Sequence, residues 1–290
     1  MQYLDMFFHL KENKTDFRTE FYAALTTFMA MAYIIVVNPG ILSETGMPFG
    51  SVLVATCLGA AIGCFLMAFL ANYPFALAPG MGLNAFFTYT VCLTMGISWK
   101  VALTAVFVEG VIFILLTLTN VRQKIVNTIP NALKIGIAAG IGLFIAFIGL
   151  KSANVVVSNP ATFVSLGAMN TAPTLLAVAG FLLMVVLTIY KVRGAILIGI
   201  IATTIVGIPL GVTKTPDALL SAPPSLGPIF FQMDFTMLTQ VNFWVIVFAF
   251  FFVDFFDTIG TLVGCASHAN MLDEKGQLPK AGAALMSDAV

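Results

Sequence analysis

The chain has 290 residues, of which 60% are hydrophobic and 9% charged, with a mean hydropathy of +1.02. A soluble domain carries about 25% charged residues, so this composition excludes one and describes an all-α membrane protein with several spans. Thirteen basic residues balance thirteen acidic ones, which leaves no electrostatic case for nucleic acid or for an acidic partner.

Residues 1–20 mix Phe7, Phe8 and Leu10 with Lys11, Lys14 and Arg18. This suits a short amphipathic helix on the membrane surface. No basic stretch followed by an apolar core opens the chain, so no cleavable signal peptide is expected. Apolar segments follow at Phe21–Asn38, Val52–Ala71, Phe75–Met95, Val101–Thr119, Ala132–Leu150, Pro173–Tyr190, Ala195–Val212 and Val241–Cys265. Each is near the ~20 residues that span ~30 Å of hydrocarbon. They predict eight crossings. The loop at 213–240 is long and holds Pro216, Pro223, Pro224 and Pro228. It separates a first unit of seven crossings, at 21–212, from a second that begins with the eighth span at 241–290.

Lysine and arginine predict the orientation. With the N-terminus inside, only Lys100, Lys151 and Lys214 of the thirteen basic residues fall outside. That bias predicts a cytoplasmic N-terminus and an extracellular 213–240 loop. Cys57, Cys64, Cys92 and Cys265 lie in or at the ends of apolar segments, without metal-ligand spacing. They read as small reduced hydrophobes. The pairs Gly59/Gly63, Gly136/Gly140 and Gly207/Gly211 have the spacing that lets helix backbones approach in lipid.

Within the third segment, Tyr73–Val91 reads YPFALAPGMGLNAFFTYTV. Pro74, Pro79, Gly80 and Gly82 predict an extended piece followed by a helix starting near Gly82–Asn84. A broken span survives at membrane depth only where it is buried or lines a cavity. The head of such a half-helix offers free N–H groups and a positive dipole end. Asn84 adds a donor and an acceptor, and Phe86, Phe87 and Tyr89 add aromatic faces.

In the last segment, Phe250–Gly264 reads FFFVDFFDTIGTLVG. A charged residue at a bilayer centre costs roughly 2.5–3.5 kcal/mol on insertion scales. Such residues face the protein interior and mark substrate or ion pathways. At ~100° per residue, Phe250, Asp254, Asp257, Thr261 and Gly264 share one stripe. Phe251, Phe252, Phe255 and Phe256 cover the other faces. A broken helix and intramembrane carboxylates together suggest a transporter built on an inverted repeat. Seven crossings, an odd number, start a second unit from the opposite side. Rival readings are a carrier of another small solute or anion, a passive channel, and an intramembrane aspartyl protease suggested by Phe256-Asp257-Thr258. The last needs an Asp-Thr-Gly run, but Ile259 precedes Gly260.

Four stretches carry a family resemblance: TFMAMAYIIVVNPGIL (Thr27–Leu42), APGMGLNAFFTYTV (Ala78–Val91), IPNALKIGIAAGIGLFIAFIGL (Ile129–Leu150) and FFFVDFFDTIGTLVG (Phe250–Gly264). They resemble the nucleobase–cation symporters, and more closely the AzgA-like branch of adenine, guanine and hypoxanthine permeases. The resemblance implies a fold of seven plus seven spans, of which the first repeat and the eighth span are present here. It implies a short strand and half-helix in the third and tenth spans, meeting at a purine site. The tenth-span motif with its acid has no counterpart, and the sequence reads as truncated after Val290. By position, Asn84 is similar to the third-span residue that helps bind the purine, and Asp254 to the carboxylate that hydrogen-bonds it. Asp257 is similar to the acid implicated in proton coupling, a role Asp254 could share. Gly82, Phe86 and Phe250 complete the expected substrate site. The implied activity is proton-coupled purine uptake at the cell membrane, with no enzyme chemistry and no cofactor beyond the proton. The implied partners are a purine nucleobase, the lipid bilayer and, compatibly, a second copy in a homodimer.

Overall fold

The computed structural model describes residues 7–13, 15–119, 130–215, 221–269, 271–273 and 278–290. Parts of the expected surface helix at 1–20, of the loop at Arg122–Lys134 and of the polar loop at Asp273–Gly276 lie outside the described residues. The chain divides into two compact units, Met1–Tyr33 with Phe147–Ala222, and Ile34–Ala146 with Pro223–Val290.

In the first unit, α1 (Phe17–Met31) starts at Asp16, whose carboxylate accepts the Thr19 amide at 2.7 Å. This bond satisfies one of the orphan donors of the first turn. It also holds the Asp16 carboxyl below its ordinary range. Two helices, α7 (Ala172–Ile189) and α8 (Ala195–Gly207), pack as an antiparallel pair. Their contact depends on glycines: a Cβ on Gly180 would lie 2.2 Å from Thr203 Cγ2, and one on Gly199 2.1 Å from Met184 Cγ. Of the expected small-residue pairs, Gly207 meets Thr213 and Leu176, but Gly211 lies past the end of α8 at φ +68°. A Cβ on Gly63 would lie 3.2 Å from Leu77 Cβ, while Gly59, Gly136 and Gly140 meet nothing within 4 Å. Four-residue spacing therefore found one close contact in each of two pairs and missed Gly180 and Gly199, because it carries no information about which face is covered.

One element departs from the all-α expectation. An antiparallel hairpin joins β1 (Val156–Asn159) to β2 (Phe163–Leu166). Asn159 Oδ1 accepts the Ala161 amide at 2.8 Å and so closes the turn at Pro160. Side-chain turns of this kind are why Asn precedes tight reversals.

The second unit holds α2 (Ile34–Ser43), α3 (Phe49–Leu66), α4 (Met81–Ala85), α5 (Trp99–Leu118), α9 (Val241–His268) and α10 (Ala281–Ala289). Wider, π-helical turns extend α3 through Met67–Ala71 and α4 through Phe86–Thr94. The remaining helix, α6 (Asn131–Ser152), contains the point where the two units divide. Phe113 of α5 stacks on Phe251 of α9 with ring centroids 4.7 Å apart, and on Phe255 at 6.4 Å. Phe243 and Phe250 are fully buried on the same helix.

All eight expected segments are helical in whole or part, and the described residues form a mostly helical, multi-span membrane protein. Among the described residues, five helices are long and apolar enough to cross a membrane: Phe17–Ser43, Phe49–Ala71, Trp99–Leu118, Ala172–Ile189 and Val241–Ser267. Of the other three segments, the third falls short because its helix begins only at Met81 and the seventh because α8 ends at Gly207, while the fifth counts only as the shorter apolar stretch Gly142–Ser152. Large apolar side chains stay on the outside, with Leu143 73% and Phe181 61% exposed. Helices apolar all round suit a lipid solvent.

The four cysteines are free thiols, as expected, and Cys64 does more than pack as a small hydrophobe. The Leu77 amide donates to its sulfur at 3.2 Å, and the thiol donates to the Leu77 carbonyl at 3.3 Å. One side chain thus satisfies both backbone groups of a residue that has no strand partner among the described residues. Cys64→Ala is expected to lower the melting temperature by about 2–4 °C, the shift that ~1 kcal/mol produces in a domain of this size. Cys64→Ser should recover part of it in thermal melts of the purified protein.

Candidate functional site

The site grows from the interrupted third segment. Asn72 turns the chain through a left-handed conformation at φ 57°, and residues 72–80 then run without helical structure. Pro74 and Pro79 lack amide donors, so a helix could not have closed its ladder here. Helix α4 starts at Met81 with Gly80 as its cap, and the Asn84 amide donates to the Gly80 carbonyl at 3.0 Å. The extended piece and half-helix expected from Pro79, Gly80 and Gly82 are both present, but the extended piece is not part of a sheet among the described residues.

Gly80 is needed for space. Its backbone lies at φ −68°, ψ 117°, which any residue adopts. A Cβ there would lie 2.8 Å from Asp257 Oδ2. The Asp257 carboxylate therefore sits against the head of α4, where amide donors and the helix dipole favour negative charge.

One turn along α4, Asn84 Nδ2 donates to Asn38 Oδ1 of α2. Asn38 Nδ2 donates to Thr56 Oγ1 of α3 at 2.8 Å, and Thr56 donates to the Val52 carbonyl at 2.7 Å. Asn38 and Thr56 are 2% and 3% exposed. This chain borders a cavity of about 420 Å³, lined among others by Pro79, Asn84, Phe87 and Phe250. Among the described residues that line it, none is charged. Its size is within the ~300–1,000 Å³ of small-molecule sites.

The expected residues fall along one contact between α4 and α9. Asn84 and Phe250 line the cavity. Gly82 is buried in the first turn of α4. Phe86 lies edge-on to Phe250, with centroids 5.3 Å apart and planes at 82°. Asp254, half-buried, follows Phe250 by one turn and is not among the cavity-lining residues. Asp257 follows at Gly80. An amide and aromatic edges around an uncharged cavity can hold a flat, neutral heterocycle.

Sequence reasoning passed over four residues. Asn38 was read as the end of the first span, and Thr56 as an ordinary span residue. Glu109 is 3% exposed in the middle of α5. Asp288 of α10 accepts a hydrogen bond from Thr258 and lies within electrostatic reach of Asp257. The signal for both acids was available: each is a lone carboxylate in an apolar run, the argument that singled out Asp254 and Asp257.

A model of the permease family matches residues 18–290. A protein of Methanocaldococcus jannaschii whose name gives no substrate is 54% identical over 289 residues, covering 100% of this chain and 66% of its own. The guanine/hypoxanthine permease PbuG of Bacillus subtilis is 42% identical over 97% of this chain and 66% of its own. The adenine permease AdeP of Escherichia coli is 41% identical over 99% of this chain and 64% of its own. The chain thus spans about two thirds of the length of these relatives.

Proposed function

Since the chain belongs to the nucleobase permease family, we propose that it carries purine nucleobases into the cell in symport with protons. The observation that supports this most is the uncharged cavity beside Asn84, walled by Phe87 and Phe250. A purine presents ring N–H donors, acceptor nitrogens and two apolar faces. An amide side chain pairs with a donor–acceptor edge, as Asn does with adenine. An aromatic contact to a base is worth roughly 1–3 kcal/mol. The absence of charge among the described lining residues favours a neutral base over an anion.

Asp254 is the proposed hydrogen-bond acceptor for the base, and Asp257 the proposed proton-coupling acid. Burial in low dielectric disfavours a charged carboxylate, and base binding then becomes linked to protonation. No other cofactor enters this scheme. The proposed location is the cell membrane with the N-terminus inside, from the basic-residue bias. Cysteines introduced at Arg122–Lys134 should resist an impermeant reagent applied to intact cells; labelling there would reverse the orientation.

Uptake of radiolabelled hypoxanthine, guanine and adenine tests the function, with the gene expressed whole in cells that lack purine uptake. Saturable uptake of at least one base is expected, with its KM raised about tenfold in Asn84→Ala, the effect of one lost hydrogen bond in a dry site. Absence of uptake for all three bases, or an unchanged KM in Asn84→Ala, contradicts the proposal.

A further inference from the structure

We infer that Asn38 and Thr56 are positioning residues that set the polarity of the Asn84 amide, so that it offers its carbonyl oxygen to the substrate. This rests on the reading of Asn84 as part of the nucleobase site. An amide side chain has two chemically opposite ends, and only its hydrogen-bond partners decide which end points where. Here the order can be followed bond by bond. Thr56 has a single hydroxyl proton, and it is given to the Val52 carbonyl at 2.7 Å. Its oxygen can then only accept, which requires Nδ2 of Asn38 to face it at 2.8 Å. The Asn38 carbonyl is thereby turned toward Asn84, and accepts from its Nδ2. Reversing Asn84 alone would bring two carbonyl oxygens together. Reversing both amides would require Thr56 to abandon Val52. The direction is set on α3 and carried through α2 to the half-helix.

Nδ2 of Asn84 keeps a second proton, but the end of the amide left wholly unused is Oδ1. It accepts no hydrogen bond among the described residues, and Asn84 lines the cavity. The subsite therefore offers an acceptor, which favours a base that turns an N–H toward it. Hypoxanthine has a donor on its six-membered ring, and unsubstituted purine has only acceptor nitrogens there. A site built to bond an N–H discriminates strongly against a ligand that lacks it, because its own polar group is then left unpaired. Asn38 and Thr56 are buried, so their exchange partner is each other rather than water.

Thr56→Val keeps the shape and removes the hydroxyl, and Thr56→Ser keeps the hydroxyl. In the protein expressed whole, inhibition of labelled hypoxanthine uptake by hypoxanthine and by purine gives the preference. Thr56→Val should reduce that preference about tenfold, acting through KM with Vmax and surface amount unchanged, and Thr56→Ser should retain it. An unchanged preference in Thr56→Val, or an equal loss in Thr56→Ser, overturns the inference. A second measurement needs no substrate. In protein labelled with 15N-asparagine and placed in nanodiscs, the Asn84 side-chain proton bound to Asn38 should exchange slowly with deuterium. Thr56→Val should speed that exchange, and equal exchange in both proteins overturns the relay. If exchange responds as expected but Asn84→Ala leaves uptake unchanged, the relay stands and it is the nucleobase reading that fails.

Discussion

Asp254→Asn is expected to weaken purine binding on the order of 100-fold, while Asp257→Asn binds purine normally and loses the pH dependence of uptake. The two carboxylates lie three residues apart on α9, within ~5–6 Å between Cβ atoms, yet they meet different surroundings. Asp254 follows Phe250, whose ring borders the cavity. Asp257 is pressed against Gly80 at the head of α4 and is within reach of Asp288 on α10. Asparagine keeps the shape of Asp254 but replaces an acceptor oxygen by an amide donor, which would face the N–H groups of the base. A hydrogen bond to a charged group contributes about 1.5–3 kcal/mol, so its loss weakens binding on the order of 100-fold. At Asp257 the same change mimics a permanently protonated acid. Base binding should persist, but the carrier no longer takes up and releases a proton at that position. Equilibrium binding and proton-driven uptake, both measured from pH 5 to 8, separate the cases. Normal binding and normal pH dependence in both variants would make the aspartates structural.

Gly80→Ala should reproduce the Asp257→Asn phenotype without unfolding the protein. The added methyl would lie 2.8 Å from Asp257 Oδ2, and the next atom it meets, Leu83 Cβ, is at 3.9 Å. Only the carboxylate has to move, and it ends a side chain that can rotate. The backbone at Gly80 is in the extended region, so alanine adds no strain there. The expected result is an unchanged melting profile and surface level, normal purine affinity, and uptake lowered at least tenfold with a flattened pH profile, as befits a coupling group displaced by one side-chain rotation. A double variant with Asp257→Asn should be no worse than either single change, because both remove the same contact. Additive losses would show that Gly80 acts elsewhere.

Much of this was legible in the amino-acid sequence because the responsible signals are local. Long apolar runs announce helices, and the membrane class followed from the scarcity of charge. Pro74, Pro79 and Gly80 announced a broken span because each acts on its own backbone. The intramembrane aspartates stood out for the same reason: the cost of a charge in hydrocarbon depends on the residue and its depth, without knowledge of its neighbours. The four matching stretches carried the family, and the family model bears that out.

What the sequence left open depends on partners from other helices. Asn38 looked like the end of a span until Thr56 and Asn84 were found on either side of it. Cys64 looked like a small hydrophobe until Leu77, thirteen residues on, presented both its amide and its carbonyl. Gly80 was read as a helix breaker, but its lack of a side chain matters because Asp257 occupies the space. Periodicity and propensity describe one element at a time. Hydrogen-bond direction and close packing exist only between elements, so the tertiary structure alone decided that Asn38 and Thr56 join Asn84 at the cavity.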